Sequence, residues 1–281
     1  MSTFHHKVAV VTGAGSGIGR ALALGLAARG ARLALSDIDE AGLGETAELA
    51  ARAGATVHHQ RLDVSDRDAF EAYASTVAAH FGVVHQIYNN AGVARSGPVL
   101  EFSYNDYERV LNINLWGVIH GTKAFLPHLI ASGDGHVVNV SSLNGLMAYP
   151  GSSAYCTSKF AVRGFTEALR IEMLQDRLPV GVTVVHPGGV KTNITNNAMA
   201  SAREAGVELS AADVKRARDY EQRFLRLSPD AAAKTILDGV AAGKPRVLVG
   251  NDAKAIDKLV RLLPRLYPRI VARVTPSRAA R

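Results

Sequence analysis

The sequence predicts an α/β protein in which a parallel sheet of seven strands is covered by helices on both faces. Short apolar segments alternate with helical patterns at the spacing of βαβ units, which place helices on both faces of a parallel sheet. The first apolar segment, residues 7–11, runs directly into a glycine-rich turn and a helix. The 281 residues show neither an internal repeat nor a second core. We therefore expect one domain over residues 1–250, followed by a tail over residues 251–281.

The predicted elements follow one another in a regular order. Strands are predicted at residues 7–11, 32–36, 56–62, 84–88, 136–140, 181–186 and 246–250. Helices are predicted at residues 20–29, 40–53, 66–81, 103–114, 115–131, from before 155 to about 174, and at 230–242. Residues 193–227 are polar and lack strand signals. Because they leave the carboxyl end of a strand, they are predicted to form a lid over a substrate.

The turn after the first strand has the composition of a phosphate-binding site. Residues 12–19 read Thr-Gly-Ala-Gly-Ser-Gly-Ile-Gly, and glycines allow backbone N–H groups at a helix N-terminus to approach a pyrophosphate closely. An ordinary glycine-containing turn is the alternative. The residues predicted to contact a dinucleotide here are Gly13, Ser16, Gly17, Ile18 and Gly19.

Asp37 ends the second strand, eighteen residues after Gly19. An acid at this place hydrogen-bonds the adenosine ribose hydroxyls of a dinucleotide. A carboxylate repels a 2′-phosphate, and neither Ser16 nor Ile38 supplies the positive charge that such a phosphate requires. We therefore expect NAD(H) to be favoured, with NADP(H) as the alternative cofactor. A helix cap is the alternative role of Asp37.

Two further strand ends carry polar residues. Asp63 and Val64 follow the third strand, and Asn90, Ala91 and Gly92 lie at the end of the fourth. Ligands of open α/β sheets lie outside the carboxyl ends of the strands, so we expect both groups at the adenosine side of the cofactor. Polar residues that merely end a strand are the alternative.

Ser142, Tyr155 and Lys159 form a candidate group for proton transfer to or from an alcohol or carbonyl oxygen. Tyr155 and Lys159 share one face of a helix, and Ser142 stands thirteen residues before the tyrosine, at a strand end. A free phenol titrates near pH ~10, so phenolate at neutral pH requires about 4 kcal/mol. An ammonium about 5 Å away supplies roughly 3 kcal/mol at an effective dielectric of about 20. An ordinary Tyr–Lys pair on a half-buried helix is the alternative.

Composition and charge exclude several classes of protein. No apolar run reaches the roughly 18 residues of a membrane span, and the first residues do not resemble a secretory signal, so a cytoplasmic protein is expected. The single cysteine, Cys156, excludes an internal disulfide and a cysteine-based metal site; we expect no metal. Residues 244–281 contain ten Lys or Arg and two Asp. The net charge of +7 therefore belongs to this C-terminal segment, and no nucleic-acid partner is expected.

The tail combines apolar residues at near-helical spacing with basic residues, and Pro264 and Pro268 should interrupt it. A solvated helix packed on its own domain or on a neighbouring subunit is the favoured interpretation, and one version of it brings the tail to the substrate pocket. A membrane-surface helix, which would give peripheral membrane contact, is the second interpretation. A nucleic-acid patch is the least favoured.

Taken together, these motifs resemble the classical short-chain dehydrogenase/reductase (SDR) family over about residues 5–250. The matching positions are residues 12–19, Asp63, Asn89-Asn90-Ala91-Gly92, Asn114, Ser142, Tyr155, Lys159 and Pro187-Gly188. Each motif is weak alone, whereas their order and spacing are specific. The resemblance implies a Rossmann-type, doubly wound sheet and an oxidoreductase that interconverts a secondary alcohol and a ketone with a nicotinamide cofactor.

The resemblance also assigns roles to single residues. It implies a catalytic tetrad in which Tyr155 is the general acid or base and Ser142 hydrogen-bonds the substrate oxygen. Lys159 favours the phenolate and binds the nicotinamide ribose, and Asn114 anchors a water in a proton relay. Ser142 is chosen over Ser141 because only Ser142 has the family's spacing to the tyrosine. Further cofactor contacts are implied for Tyr155, Lys159, Pro187, Gly188, Val190 and Thr192.

The predicted substrate is a hydrophobic alcohol or ketone. The segment after the serine and the lid offer apolar residues, without an arginine that would bind a carboxylate. Each of these residues could instead serve packing. The segment contributes Leu143, Leu146, Met147 and Tyr149, and the lid contributes Ile194, Met199 and Phe224. The alternatives are an NADPH-dependent carbonyl reductase and a non-catalytic, NAD-binding regulator or membrane-associated scaffold. A homodimer or homotetramer is expected.

Overall fold

Seven parallel strands form the sheet in the computed structural model, which describes residues 4–192, Met199 and residues 225–275. The strands are β1 (Val8–Thr12), β2 (Arg32–Asp37), β3 (Val57–Arg61), β4 (Gln86–Asn89), β5 (Gly135–Val140), β6 (Val180–Pro187) and β7 (Arg246–Val249). Their order is β3-β2-β1-β4-β5-β6-β7, and every neighbouring pair is parallel. The predicted seven-stranded parallel sheet is confirmed.

Helices cover both faces of this sheet. They are α1 (Gly17–Ala27), α2 (Glu40–Arg52), α3 (Arg67–Phe81), α4 (Tyr104–Leu111), α5 (Gly117–Ala131), α6 (Ser153–Gln175), α7 (Pro229–Ala241), α8 (Asn251–Leu262) and α9 (Tyr267–Val274). One apolar core lies between the sheet and α1, α2 and α7, and a second lies between the sheet and α3, α5 and α6. The prediction of a single doubly wound, Rossmann-type domain is confirmed.

The strand order reverses at β1, and this reversal positions the candidate site. β1 pairs with β2 on one side, where Val8 lies opposite Arg32, and with β4 on the other, where Ala9 lies opposite Gln86. A crevice therefore opens at the carboxyl ends of β1 and β4. The glycine-rich turn follows β1, and the residues after β4 begin at Asn90, so both motifs lie at this crevice.

The observed helix boundaries differ from the predicted ones at two functional places. α1 begins at Gly17, three residues before the predicted start, because Ser16 is its N-cap and the glycines form its first turn. The predicted helices 103–114 and 115–131 are joined by a π-helical segment, Asn112–Trp116. A π segment is a rare single-turn feature without a residue preference of its own, so the sequence did not predict it.

The tail forms two short helices. Pro264 lies in the predicted interruption between α8 and α9, whereas Pro268 does not interrupt the helix but lies in the first turn of α9, where proline is tolerated. The Asp257 carboxylate of α8 lies 3.2 Å from the Arg246 guanidinium at the start of β7. Among the described residues, no helix combines the length and the apolar character needed to cross a bilayer. Most of the predicted lid, residues 193–227, lies outside the described residues, as do Ile194 and Phe224.

Candidate active site

The glycine-rich turn is held from behind by the residues that follow β4. The Thr12 hydroxyl accepts hydrogen bonds from the backbone N–H groups of Asn90 and Ala91, each at 3.1 Å. The Asn90 amide donates to the carbonyls of Thr12 (3.0 Å) and Gly13 (3.2 Å). Gly13 has a φ of +66°, and a β-carbon there would lie 2.8 Å from the Ala91 Cα. Asn90 and Ala91 therefore contact the turn itself.

Asp37 lies at the open side of the same turn. Its carboxylate accepts hydrogen bonds from the N–H groups of Gly15 at 2.7 Å and Asp39 at 3.0 Å. Arg20, which the sequence analysis did not single out, donates to the Gly15 carbonyl at 2.6 Å and pairs with Glu45 at 2.7 Å. The turn is thus fixed by a carboxylate on one side and by an already paired guanidinium on the other.

Asp63 and Val64 lie at the end of β3. The Asp63 carboxylate accepts two hydrogen bonds from Ser65, from its N–H at 2.9 Å and from its hydroxyl at 2.6 Å. Val64 is buried against Gly117, where a β-carbon would lie 2.8 Å from the Val64 Cγ2. The Asp63 side chain is thus engaged by the turn that follows it, and Val64 packs against the start of α5.

Lys159 is buried at the centre of the candidate site. Lys159 belongs to α6 and is only 4% exposed. Its ammonium donates a hydrogen bond to the Val140 carbonyl at 3.0 Å. Burial lowers the pKa of Lys159 from 10.5 to about 8. The ammonium lies 5.8 Å from the centroid of the Tyr155 ring and 3.5 Å from where a β-carbon on Gly92 would lie. Tyr155, Lys159 and Gly92 therefore converge.

Asn114 lies within the π-helical segment and is completely buried. Its side-chain oxygen accepts from the Val93 N–H at 2.8 Å, and its amide donates to the Val93 carbonyl at 2.9 Å and to the Ser158 hydroxyl at 3.1 Å. A β-carbon on Gly92 would lie 3.2 Å from the Asn114 Oδ1. Asn114 thus joins the chain after β4 to α6 beside the lysine.

The two serines after β5 have different partners. The Ser141 hydroxyl donates to the Lys159 carbonyl at 2.8 Å and is committed to the backbone of α6. The Ser142 hydroxyl accepts from the Asn144 N–H at 3.1 Å, which leaves its own proton for another acceptor. This difference supports the choice of Ser142 made on spacing alone.

His186 is a buried residue of the site that the sequence analysis missed. Its Nδ1 lies 2.8 Å from the Ser142 carbonyl, an acceptor, so Nδ1 carries the proton. Burial lowers the pKa of His186 to about 4, and the ring is therefore neutral at pH 7. The available signal was a histidine in a valine-rich strand, just before Pro187.

The loop after β6, residues 188–192, closes over the glycine-rich turn. Pro187 ends β6, and the Gly188 N–H donates to the Val249 carbonyl at 2.9 Å. Val190 is buried, and the Thr192 methyl lies 3.1 Å from where a β-carbon on Gly17 would lie. The structure therefore brings together two predicted parts of a dinucleotide site. One part begins near Gly17 and the other near Pro187, 170 residues later in the sequence.

The predicted substrate-lining residues differ in burial. Leu146 and Met147 are buried, at 3% and 6% exposure. Leu143, in a 3-10 turn, and Tyr149 are half-buried, as is Met199 of the predicted lid. Among the described residues, no three His, Cys, Asp or Glu side chains are grouped as metal ligands. Leu143 and Tyr149 are thus better placed than Leu146 and Met147 to contact a ligand.

Comparison with known proteins assigns the family. A doubly wound sheet with a glycine-rich turn after β1 is typical of dinucleotide-binding α/β proteins. The profile of the short chain dehydrogenases matches residues 7–203. SadH of Mycobacterium tuberculosis, which is provisionally named an oxidoreductase, is 56% identical over 272 residues, 97% of this chain and 96% of SadH. The chain belongs to the short-chain dehydrogenase/reductase family of oxidoreductases.

Two solved structures share this fold. A short chain dehydrogenase/reductase from Burkholderia phymatum, crystallised in complex with NAD, has a TM-score of 0.85 and 32% identity, covering 99% of this chain and 98% of its own. Levodione reductase has a TM-score of 0.77 and 28% identity, covering 90% of this chain and 98% of its own.

Proposed function

We propose that this protein is an NAD(H)-dependent oxidoreductase that interconverts a hydrophobic secondary alcohol and its ketone. The observation that carries the proposal is the convergence of Lys159, Asn114 and Tyr155 beside Gly92. This group lies at the crevice that also holds the glycine-rich turn and the loop after β6. Family membership leaves the substrate open, because function depends on the site and not on the fold.

The residues of the crevice fit a nicotinamide dinucleotide. The turn at the start of α1 leaves a surface that a β-carbon on Gly17 would reduce, and no acid lies in the first helical turn to repel a pyrophosphate. Asp37 and the residues near Asp63 and Asn90 would hold the adenosine half, and Val190 and Thr192 the nicotinamide half. When bound, the cofactor supplies the hydride chemistry.

NAD(H) is favoured over NADP(H) by charge. The Asp37 carboxylate is tied to the Gly15 N–H, where it would face the ribose hydroxyls. Ile38 is exposed and uncharged, and the guanidinium of Arg20 is paired with Glu45. A 2′-phosphate would thus meet a negative group without a free cation in the turn. The NAD found in the Burkholderia phymatum structure supports the same preference.

The chain's own part of the reaction is proton transfer. The Tyr155 phenol would donate a proton to the ketone oxygen in reduction and accept it from the alcohol in oxidation. The Ser142 hydroxyl would hydrogen-bond the same oxygen and orient it. The Lys159 ammonium stabilises the phenolate electrostatically, by roughly 3 kcal/mol at an effective dielectric of about 20. Asn114 would hold the backbone around a water that returns the proton to solvent.

Tyr155→Phe tests this function. We expect the variant to lose about 10²–10⁴-fold in kcat, the usual contribution of general acid–base catalysis, while NADH binding, followed by fluorescence, stays unchanged. Tyr104→Phe removes the hydroxyl of a tyrosine that is 87% exposed and is the matched control. Undiminished turnover in Tyr155→Phe would contradict the mechanism.

One panel of substrates, tested with both cofactors, identifies the substrate class and distinguishes the proposed function from its alternatives. Hydrophobic secondary alcohols and ketones should change absorbance at the reduced-cofactor band, with NADH preferred over NADPH. A much higher kcat/KM with NADPH would favour a carbonyl reductase. No turnover of any substrate, together with retained NAD binding, would favour a non-catalytic regulator or scaffold.

The partners follow from the same proposal. We expect a homodimer or homotetramer in the cytoplasm that acts on a small molecule, without nucleic acid. Peripheral membrane contact through α8 and α9 stays the less favoured alternative. The exposed apolar side chains of this tail support an interaction with another subunit or a membrane surface, because exposed apolar patches mark interaction sites.

A further inference from the structure

Asp252 joins the C-terminal tail to the loop after β6. It lies in the first turn of α8, directly after β7. Its carboxylate accepts a hydrogen bond from the Gly189 N–H at 2.6 Å. Gly188 and Gly250 lie so close that a β-carbon on either would collide with this carboxylate. The carboxylate therefore fills the space that the two glycines leave open.

The segment that Asp252 binds directly precedes Val190 and is hydrogen-bonded to it. The Val190 N–H donates to the Gly188 carbonyl at 3.0 Å, which makes a tight turn around Gly189. On its other side the loop pairs with Leu227, whose carbonyl accepts from the Lys191 N–H at 2.8 Å. A displaced Gly189 would therefore shift Val190 as well.

We propose that Asp252 is a positioning residue for the nicotinamide half of the cofactor site. By fixing the Gly188-Gly189 turn, it would hold Val190 and Thr192 against the cofactor. A hydrogen bond from a backbone N–H to a carboxylate is stronger than one between neutral groups, and the helix N-terminus keeps this anion in place. The inference rests on the proposed function, and it makes the start of the tail part of the cofactor site.

A purely structural role is the competing explanation, and Asp257 provides the comparison. Asp257 also anchors α8, through Arg246 at 3.2 Å and Arg261 at 3.3 Å. Its ion pairs do not involve the loop after β6. Loss of Asp257 should therefore loosen the same helix without moving Gly189.

Equilibrium binding of NADH and of ADP-ribose to the full chain tests the proposal. ADP-ribose lacks the nicotinamide, so it reports on the adenosine half alone. We expect Asp252→Ala to raise the Kd for NADH roughly tenfold, as for loss of one charge-assisted hydrogen bond, and to change the Kd for ADP-ribose less than about twofold. Asp252→Asn keeps an oxygen that can accept from Gly189 and should recover part of the loss. Asp257→Asn should leave both Kd values unchanged.

Three results would overturn the proposal. Equal weakening of both ligands by Asp252→Ala would indicate a general structural role, and so would an Asp257→Asn variant that loses NADH affinity to the same degree. Unchanged NADH binding in Asp252→Ala would exclude any role in the site. A native protein that binds ADP-ribose and NADH but turns over no substrate would refute the proposed catalysis and leave the role of Asp252 standing.

Discussion

Lys159 shows at the residue scale how burial and function oppose each other. Its ammonium is enclosed at 4% exposure with the Val140 carbonyl as its hydrogen-bond acceptor. Burial lowers the pKa of Lys159 to about 8 because a charged group is less well solvated inside the protein. Below that pH the protein keeps a cation beside Tyr155 at a cost in stability.

Lys159→Met should reveal this cost as a pH-dependent difference in stability. Between pH 8 and 10.5 the unfolded lysine binds a proton that the folded one has lost, so the free energy of unfolding of the native chain rises with pH. We expect native stability to increase relative to Lys159→Met by up to about 3 kcal/mol from pH 7 to 10. Urea unfolding of both proteins at several pH values measures the difference in their free energies of unfolding. Lys123→Met, at an exposed lysine, is the control. A constant difference between native and Lys159→Met would contradict the prediction.

Asp37 is the residue on which the proposed preference for NAD(H) depends. We expect Asp37→Ser to raise the ratio of kcat/KM with NADPH to that with NADH by about tenfold or more, because it removes the charge that repels a 2′-phosphate. Asp39→Ser is the control, since Asp39 caps α2 by accepting from the Gly42 N–H at 3.2 Å. Serine is itself a good N-cap, so Asp39→Ser removes a nearby charge, should change stability by less than about 0.5 kcal/mol and should leave the ratio unchanged. An unchanged ratio in Asp37→Ser would assign the preference to other residues.

At the scale of elements, two helical glycines have opposite surroundings. Gly121 of α5 faces β4 so closely that a β-carbon would lie 2.7 Å from the Phe70 ring and collide with the Asn89 amide. A β-carbon on Gly164 of α6 would have no described atom within 4 Å apart from its chain neighbours and the backbone of its own helix. The first glycine allows close packing, and the second leaves open space.

Alanine substitutions should therefore have opposite effects. Gly121→Ala forces atoms of the core apart and should destabilise the fold by about 1–3 kcal/mol. Gly164→Ala lowers the entropy of the unfolded chain in a helix interior and should stabilise it by roughly 0.5–1 kcal/mol. Denaturant unfolding of both variants measures the difference. If both substitutions changed the free energy of unfolding in the same direction, close packing at Gly121 would not determine the effect of its substitution.

The tail belongs to the scale of the whole molecule. Its apolar side chains recur every four residues and remain exposed, namely Leu262, Leu266, Ile270 and Val274. Basic side chains recur beside them, namely Arg261, Arg265, Arg269 and Arg273. The described part of the domain leaves this face uncovered. The exposure therefore supports packing on a neighbouring subunit, which is one form of the favoured interpretation.

A charge-matched pair of variants tests this interpretation. We expect light scattering to show a dimer or tetramer and the double variant Leu266→Glu with Ile270→Glu to shift it to smaller species, since buried carboxylates without partners are costly. Lys258→Glu changes the net charge by the same amount at an exposed polar position and is the control. If assembly is unaffected while only the native chain and Lys258→Glu co-sediment with anionic vesicles, the membrane-surface interpretation is correct.

Patterns local in sequence could be predicted without the structure. The sheet, its helices and the motif positions follow from hydrophobic periodicity, glycine placement and spacing. Each of these patterns reflects a local requirement of the backbone, such as a buried face or a tight turn. The Tyr155–Lys159 pair follows from one helical turn. Boundaries were less certain, since the glycines that start α1 are poor helix formers in isolation and are helical here only in context.

Contacts between distant segments were decided by tertiary structure alone. The π-helical turn that buries Asn114, the His186 ring behind Ser142 and the Asp252 carboxylate under Gly189 join residues far apart in the chain, and no periodicity records such pairs. The depressed pKa of Lys159 likewise comes from enclosure by several elements. The sequence by itself determined which chemical groups are present and on which elements they lie. Only the packing of those elements decided which groups meet and how strongly each is shielded from water.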